Sequence, residues 1–199
     1  FTATVTGGFA PPTGTVTFTV DGVAGLPVPL NGSGQATFTT SALAPGSHPV
    51  FATYNGDATY ATSTSSTLTQ LVNPAPSTTT VVSSVNPSAV GQAVTFTATV
   101  TSSFAGTPTG TVTFTIDGVA GSAIPLNGSA QASFTTSSLA VGNHSVFATY
   151  SGDATYATST SSTLTQVVNS AASTTTIASS VNPSAAGQSV TFTATVTSG

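Results

Sequence analysis

The sequence predicts an all-β protein built as a tandem array of antiparallel Greek-key sandwiches. First, the chain repeats itself with a shift of 96 residues: Ala148–Gln166 (ATYSGDATYATSTSSTLTQ) matches Ala52–Gln70 with one substitution. Second, short stretches in which Val or Phe alternates with Thr recur throughout, which is the pattern of half-buried strands. Third, sequences rich in Gly, Asn, Asp and Pro separate these stretches, and no helical periodicity is present.

The copy that spans residues 74–170 is complete, and its strands can be predicted in order from alternation and β-propensity. The predicted strands are Ser77–Val85, Ala93–Thr101, Gly110–Ile116, a short segment around Ile124–Leu126, Gln131–Thr136, His144–Tyr150 and Ser162–Val168. The side chains predicted to face the core are Val94, Phe96, Ala98, Val100, Val112, Phe114, Ile116, Ala132, Phe134, Val146, Ala148 and Tyr150.

Residues that favour turns separate the predicted strands. Asn86-Pro87 ends the first strand, because Pro cannot donate to a β-ladder. Asp117-Gly118 and Asn127-Gly128 are predicted hairpin turns, since these residues tolerate positive φ. About seven short strands at this spacing indicate a sandwich of the immunoglobulin type, with roughly 100 residues per domain. Cys and Trp are absent, so Phe, Val and Tyr, including Tyr150 and Tyr156, are expected to close the core.

The repeat divides the chain into three predicted parts. Residues 1–73 form a copy that lacks its first strand, residues 74–170 form the complete copy, and residues 171–199 hold only the first two strands of a third copy. Linkers are predicted at Val72–Pro76 and Val168–Ala172. The third part cannot bury its apolar face alone, so we expect it to need more chain or a neighbour. We expect this sequence to be a window on a longer array.

Composition excludes several classes of function. The chain has no Lys or Arg and no Cys, and only 2% of its residues are charged, against about 25% in an average soluble domain. Binding to nucleic acid or to anionic membranes depends on Lys and Arg, so neither partner is expected. Disulfides and thiol chemistry are impossible. No apolar run suggests membrane insertion.

Three segments resemble a known family. They are TTTVVSSVNPSAVGQAVTFTATV (Thr78–Val100), GTVTFTIDG (Gly110–Gly118) and GNHSVFATYSGDATYATSTSS (Gly142–Ser162). Together they are similar to the bacterial immunoglobulin-like repeat domain, and the resemblance covers essentially the whole chain. It implies a spacer or stalk module of secreted and cell-surface proteins, used in adhesins or beside catalytic domains of extracellular enzymes. The family implies no catalytic residues.

The few ionisable residues have structural interpretations. Asp117 and Asp153 lie in turns, where Asp caps backbone N–H groups, and one or two carboxylates per repeat are too few for a calcium site. His144 begins a strand and is predicted to be a surface residue rather than part of a hydrolase triad, because no Gly-x-Ser-x-Gly sequence is present. We therefore predict no catalytic residue, no metal site and no cofactor.

Two further surface features have alternatives. Asn31, Asn127 and Asn143 match the N-glycosylation sequence, although the first two also fit turns. Rows of outward Thr are similar to ice-binding arrays, but such arrays must be flat and sandwich sheets twist, so the β-propensity of Thr is the preferred explanation. The residues of these rows are Thr95, Thr97, Thr99, Thr111, Thr113 and Thr115.

The leading functional hypothesis is a structural stalk or fibre outside the bacterial cell. Near-identical copies add length to an array, and no single copy carries chemistry that the others lack. Its expected partners are the adjacent repeats of the array and, in a fibre, identical chains. The main alternative is a self-assembling or adhesin-type module whose edge strands and loops contact glycans or neighbouring chains. An accessory domain of an extracellular enzyme is a third hypothesis.

Overall fold

The computed structural model describes residues 1–198. All helical or strand structure in that range is β-strand. The first eight are β1 (Thr2–Thr4), β2 (Thr15–Val20), β3 (Val23–Ala24), β4 (Val28–Pro29), β5 (Gln35–Thr37), β6 (Gly46–Tyr54), β7 (Ser63–Thr64) and β8 (Leu68–Val72). The remainder are β9 (Thr78–Ser83), β10 (Ser88–Ala89), β11 (Val94–Thr101), β12 (Thr111–Ile116), β13 (Val119–Pro125), β14 (Gln131–Thr136), β15 (Gly142–Tyr150), β16 (Ser159–Thr160), β17 (Leu164–Asn169), β18 (Ser173–Ser179) and β19 (Phe192–Ser198).

The chain divides into two compact units, with the boundary between Ala75 and Pro76. The second unit contains a complete sandwich. One of its sheets has the order β14-β11-β9, and the other has the order β10-β17-β15-β12-β13, with β16 paired to β15. Every pairing is antiparallel except the parallel pair β10–β17. This arrangement confirms the predicted all-β immunoglobulin-like fold class. The short strands β10 and β16 were not predicted.

The core of this sandwich follows the predicted alternation. In β11 the side chains of Val94, Phe96, Ala98 and Val100 are buried, while the Thr residues between them are partly exposed. Tyr150 at the end of β15 is fully buried. The remaining buried apolar residues of the sandwich are Val112, Phe114, Ala130, Ala132, Val146, Ala148, Tyr156 and Val168.

Phe134 packs against the buried Phe114, as predicted for an inward side chain, with ring centroids 6.2 Å apart, but it remains 36% exposed. One prediction about a facing side chain is wrong. Thr115, predicted to face solvent, is buried at 9% exposure. The strand β13 also runs from Val119 to Pro125, well beyond the short segment predicted there.

The two predicted hairpin turns differ in outcome. Asp117 and Gly118 adopt φ values of 49° and 80° and connect β12 to β13 directly, as predicted. The turn at Asn127-Gly128 is wider than predicted. Asn127 Oδ1 accepts hydrogen bonds from the N–H groups of Ser129 and Gln131, and Ala130 takes the left-handed conformation with φ 54°.

The first unit contains the same elements without counterparts of β9 and β10 among residues 1–75. Its strand β1 pairs with β5, as β11 pairs with β14, and its other sheet joins β2 to β3, β4 and β6, with β7 and β8 paired to β6. The buried core is small: Val16, Phe18, Ala36 and Tyr54 form one cluster, and Val50 is also buried.

The strands β18 and β19 form an antiparallel pair whose register runs from Ser173 opposite Ser198 to Ser179 opposite Phe192. Every residue of both strands is exposed, and Ile177 is 74% exposed. This pair is therefore a β-ladder without a core of its own.

Candidate functional site: the contacts that close each repeat

Asp153 holds the turn after β15 against the loop that precedes β12. Its Oδ1 accepts hydrogen bonds from the N–H groups of Thr155 and Tyr156 at 2.7 and 2.8 Å. Its Oδ2 accepts from the N–H and the hydroxyl of Thr109 at 2.9 and 2.7 Å. Burial by itself would raise the pKa of this carboxyl, but the four donors outweigh burial and hold the pKa well below its usual range. The prediction that Asp153 is a turn residue is confirmed, and Asp57 makes the matching contacts in the first unit.

Two tyrosines close the core beside this turn. Tyr156 is 3% exposed, and its hydroxyl donates to the carbonyl of Ala105 at 2.8 Å. The Tyr150 Oη is buried without a hydrogen-bond partner among residues 1–198. Burial, followed by the nearby charge of Asp153, raises the pKa of Tyr150 to about 12. The predicted role of both tyrosines in closing the core is therefore confirmed by their burial.

Asp117 forms a second contact, with His144. Its Oδ2 lies 2.7 Å from His144 Nδ1, and the other ring nitrogen lies 2.8 Å from the carbonyl oxygen of Ala140. The His144 side chain is only 12% exposed, so the prediction of a surface histidine is wrong. The hairpin turn after β12 places the carboxylate over the start of β15, because Ile116 pairs with Val146.

A sequence signal for this pair existed. Asp21 and His48 are 27 residues apart, as are Asp117 and His144, and both pairs make the same contacts. The hydrogen bond with Asp117 is the main cause that raises the pKa of His144, and the hydrogen bond with His144 is the main cause that lowers the pKa of Asp117. Both ring nitrogens face acceptors, so the geometry favours the doubly protonated imidazolium.

We expect the stability of the chain to fall as pH rises through the histidine range. The raised pKa of His144 means that its contribution is complete below about pH 6.5 and is lost as pH rises through the folded-state pKa. The lowered pKa of Asp117 contributes above the ordinary value of 3.8 and is lost in acid. The urea midpoint should therefore fall between about pH 6 and about pH 9.

The control is the double variant His48→Gln/His144→Gln. Its urea midpoint should change much less over the same range, because neither ring can then titrate. An equal fall in the double variant and the unchanged chain would show that the Asp–His pairs do not cause the effect.

A third contact fixes the first strand of the complete repeat to its last. Gln166 is fully buried, and its Oε1 accepts from Ser83 Oγ at 2.7 Å, while its Nε2 donates to the Val85 carbonyl at 3.0 Å and Ser88 Oγ at 3.2 Å. Asn86 continues this line, because its side chain donates to the carbonyl of residue 165 at 2.7 Å and accepts from the N–H of residue 167 at 2.9 Å. We call Gln166, Ser83, Val85, Asn86 and Ser88 the Gln166 cluster.

Hydroxyls fix the other end of β9. Ser159 Oγ accepts a hydrogen bond from Ser77 Oγ and shares another with Thr79 Oγ1, each at 2.7 Å. Thr79 is 4% exposed. Sequence reasoning did not find these partners or the Gln166 cluster, because Ser, Thr and Gln occur at many equally polar positions of the chain.

The structure does not bring the predicted carboxylates of one repeat together. Asp117 follows the end of β12, and Asp153 contacts Thr109, which precedes its start, so roughly 20 Å of strand separates them. Within residues 1–198 no group of three or more His, Cys, Asp or Glu side chains could hold a metal ion. No helix in this range is long and apolar enough to cross a membrane.

Sheet order and closing contacts together define a repeat module of the immunoglobulin-like β-sandwich class. The family model described as "Bacterial Ig-like domain (group 3)" matches residues 1–73 and 79–169. The chain therefore belongs to the bacterial Ig-like domain family, and the predicted resemblance is confirmed. A comparison with curated proteins gives no match.

Solved structures with a similar arrangement include the fibronectin(III)-like modules of CbhA from Clostridium thermocellum. This likeness has 15% identity, covers 83% of each chain and has a TM-score of 0.38. The D0-D1 domain of intimin is similar over 83% of this chain and 88% of its own, with 22% identity and a TM-score of 0.35.

Proposed function

We propose that this chain is a non-catalytic spacer of a bacterial surface or secreted protein, in which repeats are added to set length. One observation supports this proposal above the others: the ionisable side chains are engaged in closing the repeats. Asp57 and Asp153 hold equivalent turns, and Asp21 and Asp117 pair with equivalent histidines. Side chains already engaged in the same contacts in each copy are poorly placed to act on a substrate.

Composition supports a location outside the cell. The chain contains no Lys or Arg, the residues at which trypsin-like proteases cleave, and no Met or Cys, the residues most easily oxidised. Family membership is consistent with this setting. The units proposed for the array are those that the repeat predicts, residues 1–73, 74–170 and the third copy that begins at residue 171.

Small-angle X-ray scattering on arrays with increasing numbers of the 74–170 repeat tests the proposal. If the repeat is a spacer, the maximum dimension should increase by the same increment with each copy, because each repeat contributes one similar unit of length. Compaction into a particle whose maximum dimension stops growing would contradict the proposal.

A glycan array and a calcium titration of the same proteins test the alternative of a binding module. The spacer proposal expects no saturable response in either experiment. Saturable binding that depends on one repeat would favour an adhesin-type module instead.

A further inference from the structure

The chain contains three Asn-Gly sequences, which begin at Asn31, Asn55 and Asn127. Asn followed by Gly is open to an internal reaction, because Gly has no Cβ to keep its backbone nitrogen away from the Asn side chain. Asn31 and Asn127 occupy the same turn in the two units, whereas the counterpart of Asn55 is Ser151. All three Asn residues are exposed, so exposure does not distinguish them.

In the turn after β13, the Asn127 side chain lies along its own backbone. Its Oδ1 accepts hydrogen bonds from the N–H groups of Ser129 at 2.9 Å and Gln131 at 3.0 Å. The first bond reaches only two residues along the chain, so it keeps Cγ beside the peptide bond to Gly128. Two donors on this oxygen also stabilise the negative charge that develops there when a nucleophile attacks Cγ. Asn31 makes the matching pair of hydrogen bonds, each 2.9 Å long.

The glycines of these two turns have room to move. Gly32 and Gly128 are exposed, and a Cβ atom at either position would meet no atom within 4 Å beyond its neighbours in the chain. The Gly128 nitrogen can therefore approach Asn127 Cγ without displacing another part of the protein. Asn127 is itself exposed, so water can reach the amide nitrogen that would leave.

Asn55 is held in a different way. Its Nδ2 donates to the hydroxyls of Thr15 at 2.9 Å and Thr17 at 3.1 Å, both on the neighbouring strand β2. These bonds direct the amide across the sheet instead of along its own backbone. Gly56 is also closely packed, since a Cβ atom there would lie 3.0 Å from the carbonyl oxygen of Tyr60. In this pair the leaving nitrogen is engaged and the attacking nitrogen is confined.

We propose that Asn31 and Asn127 are sites of spontaneous deamidation in the folded chain and that Asn55 is protected. The Gly128 nitrogen loses its proton to water and forms a bond to Asn127 Cγ. The bond between Cγ and Nδ2 breaks, and the side-chain nitrogen takes up a proton and leaves as ammonia. Water then opens the succinimide ring at either of its carbonyl groups, which produces aspartate or isoaspartate at position 127. Water is the only reactant that the chain does not supply.

The reaction changes the turn in two ways. Each event adds one negative charge to a chain whose formal net charge is −4. Isoaspartate also lengthens the backbone by one carbon inside the turn that joins β13 to β14, where the N–H of Asn127 donates to the carbonyl of Gln131 at 2.8 Å. The connection between the two sheets of the sandwich is therefore the part of the repeat that deamidation alters as the protein ages.

Peptide mapping of the full chain after incubation at mildly alkaline pH tests this proposal. Cleavage by chymotrypsin after Leu, Phe and Tyr places each Asn-Gly sequence in its own peptide, namely residues 31–38, 55–60 and 127–134. Mass spectrometry gives the deamidated fraction of each peptide, and chromatography separates aspartate from isoaspartate. In the folded chain we expect Asn31 and Asn127 to react at least about tenfold faster than Asn55. In the urea-unfolded chain the three rates should converge.

Two results of this experiment would overturn the proposal. One is a rate for Asn55 in the folded chain that equals or exceeds the rate for Asn127. The other is deamidation without isoaspartate, because opening of the succinimide ring gives both products. Either result would leave the spacer function unaffected.

Two variants test the causes separately. Gly128→Ala places a methyl group beside the attacking nitrogen and should slow the reaction at Asn127 at least about tenfold, while Asn31 in the same chain keeps its rate. An unchanged rate at Asn127 would exclude ring closure and overturn the proposal.

The double variant Thr15→Val/Thr17→Val removes both hydroxyls that hold the Asn55 amide and keeps the shape of the side chains. It should raise the rate at Asn55 about fivefold or more, because the amide is then free to turn toward its own backbone. An unchanged rate at Asn55 would overturn protection by these hydroxyls.

Discussion

The substitution Tyr150→Ala is expected to lower the stability of the complete repeat by about 3–5 kcal/mol. Tyr150 is fully buried and is the largest of the completely buried side chains. It occupies the end of β15, opposite Val112 of β12. Removal of its ring leaves a cavity in the core. The two sheets cannot move together to fill this cavity without disrupting the pairing between their strands. Urea unfolding, followed by hydrogen exchange of each unit, measures the loss.

Tyr150→Phe is the matched control. The Tyr150 hydroxyl has no hydrogen-bond partner among the described residues, so its removal should leave stability unchanged or slightly increased. The first unit should keep its own exchange protection in Tyr150→Ala, since we expect the repeats to fold independently. Loss of protection in both units together would contradict independent folding.

The substitution Gln166→Ala is expected to cost the complete repeat about 3 kcal/mol, because it removes the hydrogen bonds of a fully buried side chain and leaves a cavity in its place. Gln166 is fully buried and bonds Ser83, Val85 and Ser88 through both ends of its amide. The first strand should also lose protection before the rest of the sandwich. This sequence of events distinguishes loss of the Gln166 cluster from general destabilisation.

Gln70→Ala is the control in the same chain. Gln70 is partly exposed and donates only to the neighbouring Leu71 carbonyl, so its loss should change stability by no more than about 0.5 kcal/mol. A loss for Gln70→Ala as large as that for Gln166→Ala would show that the covering strand is not responsible.

Much of the fold could be predicted from local patterns. The alternation of apolar residues and Thr predicted the first residue of β11 to within one position and both ends of β14 correctly. This was possible because burial at every second residue is visible in the sequence itself. The Asp117-Gly118 turn followed from the φ preferences of two residues. The role of Asp153 followed in the same way, because the turn that it caps contains the nearest donors.

The rest required knowledge of which strands become neighbours. His144 looked like a surface residue until β12 and β15 paired and brought the Asp117 carboxylate 2.7 Å from its ring. In the wider turn the residue with positive φ is Ala130 and not Gly128. The Asn127 side chain sets this backbone conformation by accepting a hydrogen bond from the N–H of Ser129.

The sequence by itself determined the repeat, the all-β class, most strands and the turn residues, because each depends on residues that are close along the chain. Only the tertiary structure decided which polar groups are buried and what they bind. Gln70 and Gln166 stand in almost the same sequence, yet one is partly exposed and the other fully buried. The difference arises because burial is a property of neighbours in space, and within residues 1–198 β9 and the segment after it cover Gln166 and not Gln70.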